Sequence, residues 1–261
     1  MLEPVPRHCS VPLFRLAFAC AISLLAAAAL AGVNQWTPLG PYDDGGAPVV
    51  CASLVVSPDG STVVAGAYAA VYRSEDGGQH WTRFQVPTSG GVLKLVFSPS
   101  LLYAGTGTGV VTSADRGETW TSGGLSGQAV YSLAVDPRSP QTLYAGAWSL
   151  TDTAVNSAIF KTQDGGTTWD QVHSVVYEPV TSLAIDPFDS ATVYAASQGY
   201  ILRSQDAGST WMTVNQDVSV VQSFAFDPAK PRRVFAGWGR GASPGCFPPL
   251  GAVLRSSEQG D

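Results

Sequence analysis

Four times the chain writes the same eight residues, and a fifth time it begins them. The copies are Ser74-Glu-Asp76-Gly-Gly78-Gln-His80-Trp81, Ser113-Ala-Asp115-Arg-Gly117-Glu-Thr119-Trp120, Thr162-Gln-Asp164-Gly-Gly166-Thr-Thr168-Trp169 and Ser204-Gln-Asp206-Ala-Gly208-Ser-Thr210-Trp211. The fifth, Ser256-Ser-Glu258-Gln-Gly260-Asp261, has Glu in place of Asp. The shared pattern, Ser/Thr-x-Asp-x-Gly-x-Thr-Trp, is that of a tight turn. An Asp carboxylate can accept N–H groups of its own turn, and Gly supplies a positive φ. The Trp then opens a strand and brings a large apolar surface to it.

A second motif precedes each octapeptide. It reads Ser53-Leu-Val-Val-Ser57-Pro58, Lys94-Leu-Val-Phe-Ser98-Pro99, Ser132-Leu-Ala-Val-Asp136-Pro137, Ser182-Leu-Ala-Ile-Asp186-Pro187 and Ser223-Phe-Ala-Phe-Asp227-Pro228. Each is a short apolar strand that Ser/Asp-Pro turns out of the sheet. A second strand follows (62–67, 101–106, 142–147, 192–197, 233–238), and a third (70–73, 110–112, 158–161, 200–203, 252–255) runs into the octapeptide. The prolines are 41, 38, 50 and 41 residues apart. Four antiparallel strands every 40–50 residues make an all-β chain, a β-propeller of about five blades.

The octapeptide is the Asp-box, and on it the chain resembles the Asp-box (BNR, sialidase-type) repeat propellers over nearly everything after residue 32. Exported bacterial Asp-box proteins, xyloglucan-cleaving endoglucanases and photosystem II assembly factors share that repeat. The resemblance implies a fold and leaves the reaction open. Two enzyme types do not carry over. A sialidase implies an early Arg-Ile-Pro, which this sequence lacks. The xyloglucanase type implies an Asp in the first blade after the Tyr-Ala strand, and Val64-Ala-Gly-Ala-Tyr68-Ala-Ala holds none.

Asp76, Asp115, Asp164 and Asp206 recur once per blade, so they are expected to cap their own turns and not to catalyse. A ligand is expected on the opposite face, where second and third strands are joined and blade follows blade. The two longest connections there are 148–158 and 239–251. Around that rim the sequence sets Tyr42, Tyr68, Trp148, Tyr177, Tyr200, Trp238 and Phe247, with Asp43, Asp44, Asp152, Glu178 and Asp217 as acidic neighbours. Of these, Tyr42, Asp43, Asp44, Tyr68, Trp148, Asp152, Glu178 and Trp238 are the candidate ligand rim, because aromatic plates beside carboxylates suit carbohydrate or peptide.

Charged residues make up only 13%, about half the usual share, and the net charge is −6 without runs. No basic stripe offers itself to phosphates, which argues against nucleic acid. The two histidines beyond the leader have no metal-like spacing, and no phosphate loop, dinucleotide fingerprint or Gly-x-Ser-x-Gly elbow occurs, so neither metal nor cofactor is called for. Residues 1–31 read as a signal peptide: Arg7 and Arg15, an apolar run from Leu16 to Ala31, and an Ala29-Leu30-Ala31 cleavage site before Gly32. Residues 32–261 are the propeller, secreted or periplasmic, with no stable membrane insertion once the leader is gone.

Two counts remain open on the sequence. Val33-Asn-Gln-Trp36-Thr37-Pro38-Leu39 looks like a Trp-led fourth strand without a blade, and the fifth unit lacks one. Closure into a five-blade ring and membership of a larger propeller both fit. Closure would set Cys51 beside Cys246 and permit a disulfide in an oxidising compartment. The function expected is a non-catalytic binding or assembly module with a carbohydrate or protein ligand. The competing reading is a glycoside hydrolase, or a remnant of one, acting on extracellular polysaccharide.

Overall fold

The computed structural model describes residues 38–68, 70–151, 154–176, 178–197, 199–218, 220–231, 233–239 and 251–256. The leader, Trp36 and Cys246 lie outside them. So do Asp152 and Tyr177, and the side chains of Trp238 and Asp217. Among the described residues Cys51 has no disulfide partner; its half-buried Sγ lies 3.6 Å from the Val49 carbonyl, and burial raises its pKa.

The regular elements among the described residues are all strands. Blade 1 is β1 (Cys51–Val56), β2 (Val63–Ala67), β3 (Ala70–Ser74) and β4 (Thr82–Gln85). Blade 2 is β5 (Val92–Phe97), β6 (Leu102–Thr106), β7 (Gly109–Ser113) and β8 (Thr121–Ser122). Blade 3 is β9 (Ala129–Val135), β10 (Leu143–Thr151), β11 (Ala154–Thr162) and β12 (Asp170–Val176). Blade 4 is β13 (Ser182–Asp186), β14 (Asp189–Ser197), β15 (Gly199–Ser204) and β16 (Met212–Val218). Blade 5 has β17 (Val221–Phe226), β18 (Val234–Gly239) and β19 (Gly251–Arg255). Each sheet is an antiparallel meander in sequence order, which puts the β-propeller beyond its sequence pattern.

One expected loop is not a loop. Residues 148–158 continue the ladder, with Trp148 opposite Ser157 and Thr151 opposite Ala154, so blade 3 carries a hairpin of two nine-residue strands. Its β-branched Thr and Val suit a strand, and the ladder continues through residues whose polar content reads as a loop.

The apolar surface lies between blades. Alternate residues of each sheet face opposite neighbours, so each junction has its own cluster. Blades 1 and 2 meet through Val64, Val71, Val92, Leu95 and Leu102, and blades 2 and 3 through Tyr103, Val110, Val130, Leu133 and Leu143. Blades 3 and 4 meet through Tyr144, Ile159, Val180, Leu183 and Val193. Each fully buried side chain of this size stabilises by about 1.5–3 kcal/mol. Close approach dictates a glycine in the second strand of each of the first three blades, at 66, 105 and 146: a Cβ on Gly66 would stand 2.6 Å from a Val92 methyl of the next blade.

First strands touch in order, β1 with β5, β5 with β9, β9 with β13 and β13 with β17. Among the described residues no comparable contact joins β17 to β1. The outward side chains of β1 are accordingly bare, with Leu54 63% and Val56 54% exposed.

Candidate functional site

The four complete octapeptide turns have one geometry. Ser or Thr at position one donates its hydroxyl to the Asp and accepts the Gly N–H at position five. Ser113 Oγ, for example, lies 2.7 Å from Asp115 Oδ1 and 2.7 Å from Gly117 N. The other Asp bonds close the turn: Asp164 accepts Thr168 N at 2.9 Å and Thr168 Oγ1 at 2.6 Å, and Asp206 does the same with Thr210. In the first copy His80 takes the place of Thr, its Nδ1 2.6 Å from Asp76 Oδ2. These donors hold the carboxylates ionised. The Thr168 hydroxyl and N–H bring Asp164 down to about 2, and those of Thr210 do so for Asp206. Burial opposes the shift at Asp115, but bonds from Thr119, Ser113 and Glu118 still bring it to about 2. A carboxylate so engaged is a poor general acid or base near neutrality.

The turns also latch blade to blade. Tyr103 of blade 2 donates its hydroxyl to Gly165 O in the turn of blade 3, and Tyr144 of blade 3 donates to Ala207 O in that of blade 4. Burial, together with the nearby Asp136 and Asp206, pushes the Tyr144 hydroxyl well up, so it stays a donor. Arg116 reaches back to Asp59 at 2.8 Å and to Ser61 and Thr62. The Trp at position eight packs into the junction with the preceding blade, as Trp120, Trp169 and Trp211 do.

The opposite face is built differently. In blade 1 Tyr68 stands 77% exposed and donates to Ser89 O at 3.3 Å. Beside it the Thr88 and Thr108 hydroxyls pair at 3.0 Å, and Gly90 and Gly107 cross so closely that a Cβ on either would meet the other's backbone at 2.5 Å. That surface is low and polar. In blade 3 the long hairpin rises from the face and carries Trp148 near its base. Its indole lies 5.9 Å from the ring of Tyr131, tilted by 41°. The Trp148 Nε1 is buried without a hydrogen-bond acceptor among the described residues. A buried donor left without a partner costs roughly 1–3 kcal/mol.

The rim residues expected from the sequence do not all meet. Tyr42 and Asp43 belong to a small hairpin, with Tyr42 bridged to Pro48, and Asp43 Oδ1 accepts the N–H groups of Gly45 and Ala47. That hairpin is tied to the first octapeptide turn, since Trp81 Nε1 donates to Leu39 O at 2.8 Å and Gly40 sits between Tyr42 and Trp81. Asp44 is exposed on the same hairpin. Glu178 lies at the crossing from blade 3 to blade 4, where Ser197 Oγ approaches its carbonyl at 3.5 Å. No hydrogen bond or ion pair among the described residues joins Glu178 to Asp43 or Asp44. Tyr131 was missing from the sequence-derived rim. Its signal is modest: an aromatic one place before the Ser-Leu-Ala-Val strand motif. Among the described residues no group of His, Cys, Asp and Glu is arranged to hold a metal ion, and no helix is long and apolar enough to cross a membrane.

No family model matches the chain. A probable oligoxyloglucan-reducing end-specific xyloglucanase of Neosartorya fischeri is 26% identical over 194 residues, which are 64% of this chain and 23% of that protein. A xyloglucanase of Hypocrea jecorina is 26% identical over 170 residues, 62% of this chain and 19% of the relative. The chain thus spans about a fifth to a quarter of the length of these relatives. Among solved structures, that of an ancestral GH74 enzyme superposes with a TM-score of 0.68 at 20% identity, covering 85% of this chain and 31% of that one. The structural likeness shows the propeller fold.

Proposed function

We propose that this chain is an exported Asp-box propeller that binds a β-linked polysaccharide of the xyloglucan kind, as a module of glycoside-hydrolase type. The observation that carries the reading is the Tyr131–Trp148 pair at the base of the blade 3 hairpin. Two aromatic rings on a raised wall offer a sugar its apolar face, and such anchors usually carry most of the binding energy. The xyloglucanase relatives supply the ligand class and favour the glycoside-hydrolase reading over the non-catalytic binding or assembly module expected from the sequence. The nearest acids of the expected rim by sequence are Asp152 and Glu178. Hydrolysis would need two carboxyls about 5–10 Å apart across the bound sugar.

Affinity electrophoresis on xyloglucan, with xylan and chitin as comparisons, tests the binding. Retardation by xyloglucan alone, lost in Trp148→Ala, is the expected result; equal mobility with and without xyloglucan would overturn it. A reducing-end assay on the same polysaccharide tests the chemistry. Release abolished by Glu178→Gln would make the module an enzyme. Binding without release would make it a glycan-recognition unit.

A further inference from the structure

At the turn from β2 to β3 the side chain of Tyr68 is 77% exposed, more than Tyr42, Phe188 or Tyr131. It is nevertheless held at two points. Its hydroxyl donates to Ser89 O at 3.3 Å, and its ring lies against Gly91, where a Cβ would stand 3.4 Å from Cδ2. An apolar plate left in water contributes little to the fold. The ordering that a ligand would demand of it is already done.

The loop that holds Tyr68 is the first link of a continuous surface. Gly107, in the turn from β6 to β7, donates its N–H to Gly91 O at 3.1 Å, and Gly127 donates to Thr108 O at 3.0 Å. Just beyond, Ala129 begins β9 and pairs with Trp148. Backbone bonds thus run from the Tyr68 loop, through the blade 2 turn, to the strand that carries Tyr131. The register slip beside Gly146 leaves Tyr131 without a partner on β10, and a bulge of this kind re-aims the side chain it frees.

Between the two aromatic stations the surface stays low, because Gly90 and Gly107 cross at a distance that admits no Cβ. The paired hydroxyls of Thr88 and Thr108 are exposed there. Blades 1 to 3 therefore present a plate, a hydroxyl-bearing floor and a second pair of plates, in that order.

We infer that Tyr68 is a second sugar platform, and that an extended β-1,4-linked glucan backbone runs from the Tyr131–Trp148 pair over blade 2 to Tyr68; the inference rests on the polysaccharide reading above. An equatorially linked glucan is a flat ribbon. Its C–H faces stack on the aromatic plates at each end, and the hydroxyls along its edge meet the two threonines between them. An α-1,4-linked chain coils, so it meets one plate and turns away from the other. A side chain at position 90 or 107 would lift the ribbon off both.

Calorimetric titration of the whole chain with cello-oligosaccharides, from cellobiose to cellohexaose, tests this, with malto-oligosaccharides of the same lengths as comparison. Affinity of the native protein is expected to rise with length in the β-linked series alone. In Tyr68→Ala the longest oligosaccharide should bind about tenfold more weakly and cellobiose as in the native chain. Tyr68→Phe keeps the plate and should keep the rise, whereas Trp148→Ala should weaken every length. An unchanged rise in Tyr68→Ala, or an equal loss at every length, overturns the second platform and leaves xyloglucan retention through Trp148 standing. So does a native protein that xyloglucan retards but that binds no cello-oligosaccharide. If xyloglucan does not retard the native protein, the polysaccharide reading falls and this inference with it.

Discussion

The two faces of the propeller contrast in how much they repeat. On one, four turns reproduce the same bonds, the Ser/Thr hydroxyl and the N–H of position seven (His80 in the first copy, Thr in the others) both donating to the Asp, with deviations of about a tenth of an ångström between copies. On the other, blade 2 turns from second to third strand at Gly107-Thr108, whereas blade 3 runs the same two strands on to nine residues each. Repetition is what a fold requires of every blade, because every junction poses the same packing problem. A binding site needs a particular arrangement once.

Two tryptophans sharpen that contrast most. Trp120→Ala removes an indole from the first junction and should cost about 2–4 kcal/mol, read from urea unfolding, with xyloglucan affinity unchanged. Trp148→Ala should lower affinity tenfold or more while costing less stability than Trp120→Ala. The contrast breaks if the two variants exchange effects.

A smaller effect is expected at the turns. Asp164→Ala leaves the Thr168 N–H and hydroxyl without their acceptor and should lower Tm by a few degrees. The acid response follows from the same bonds. The folded values of Asp115, Asp164 and Asp206 are depressed to about 2, below the ordinary carboxylate value of 3.8. Their stabilisation is therefore complete above about pH 4 and is lost as pH falls toward 2. Urea midpoints followed from pH 6 to 2 should decline less steeply in Asp164→Asn than in the native chain. Parallel curves would mean that the turn carboxylates are not what acid attacks.

The smallest change concerns one turn residue. Position four of the octapeptide is left-handed, Gly at 77 and 165 (φ 73° in both) but Ala207 at 55°. Ala207→Gly should stabilise by up to about 1 kcal/mol, since a Cβ is disfavoured there. A loss of stability on chemical unfolding would show that the turns are not interchangeable.

How much the sequence tells about each face follows from the range of the contacts. The bonds of a turn span two to four residues, so Ser113, Asp115 and Thr119 announce them directly. Blade number follows from proline spacing because each blade is contiguous. The Tyr131–Trp148 pair depends on the register of β9 against β10, which slips at Gly146–Ala147, and no local pattern encodes that slip. The same holds for Arg116 and Asp59, which lie 57 residues apart. The hairpin of Asp43 is a further case: its approach through Leu39 depends on Trp81, a partner 42 residues away.

The order in which first strands touch, each with the next in sequence, has a kinetic side. A blade closes its own ladders within some 40 residues and then meets only the blade made just before it, so little of the chain must wait for a distant partner. Assembly of this kind can begin at any blade and spread to its neighbours. Loss of a hydrophobic residue at one junction should then uncouple the blades on its two sides, so that urea melts them in two steps where the native array melts in one.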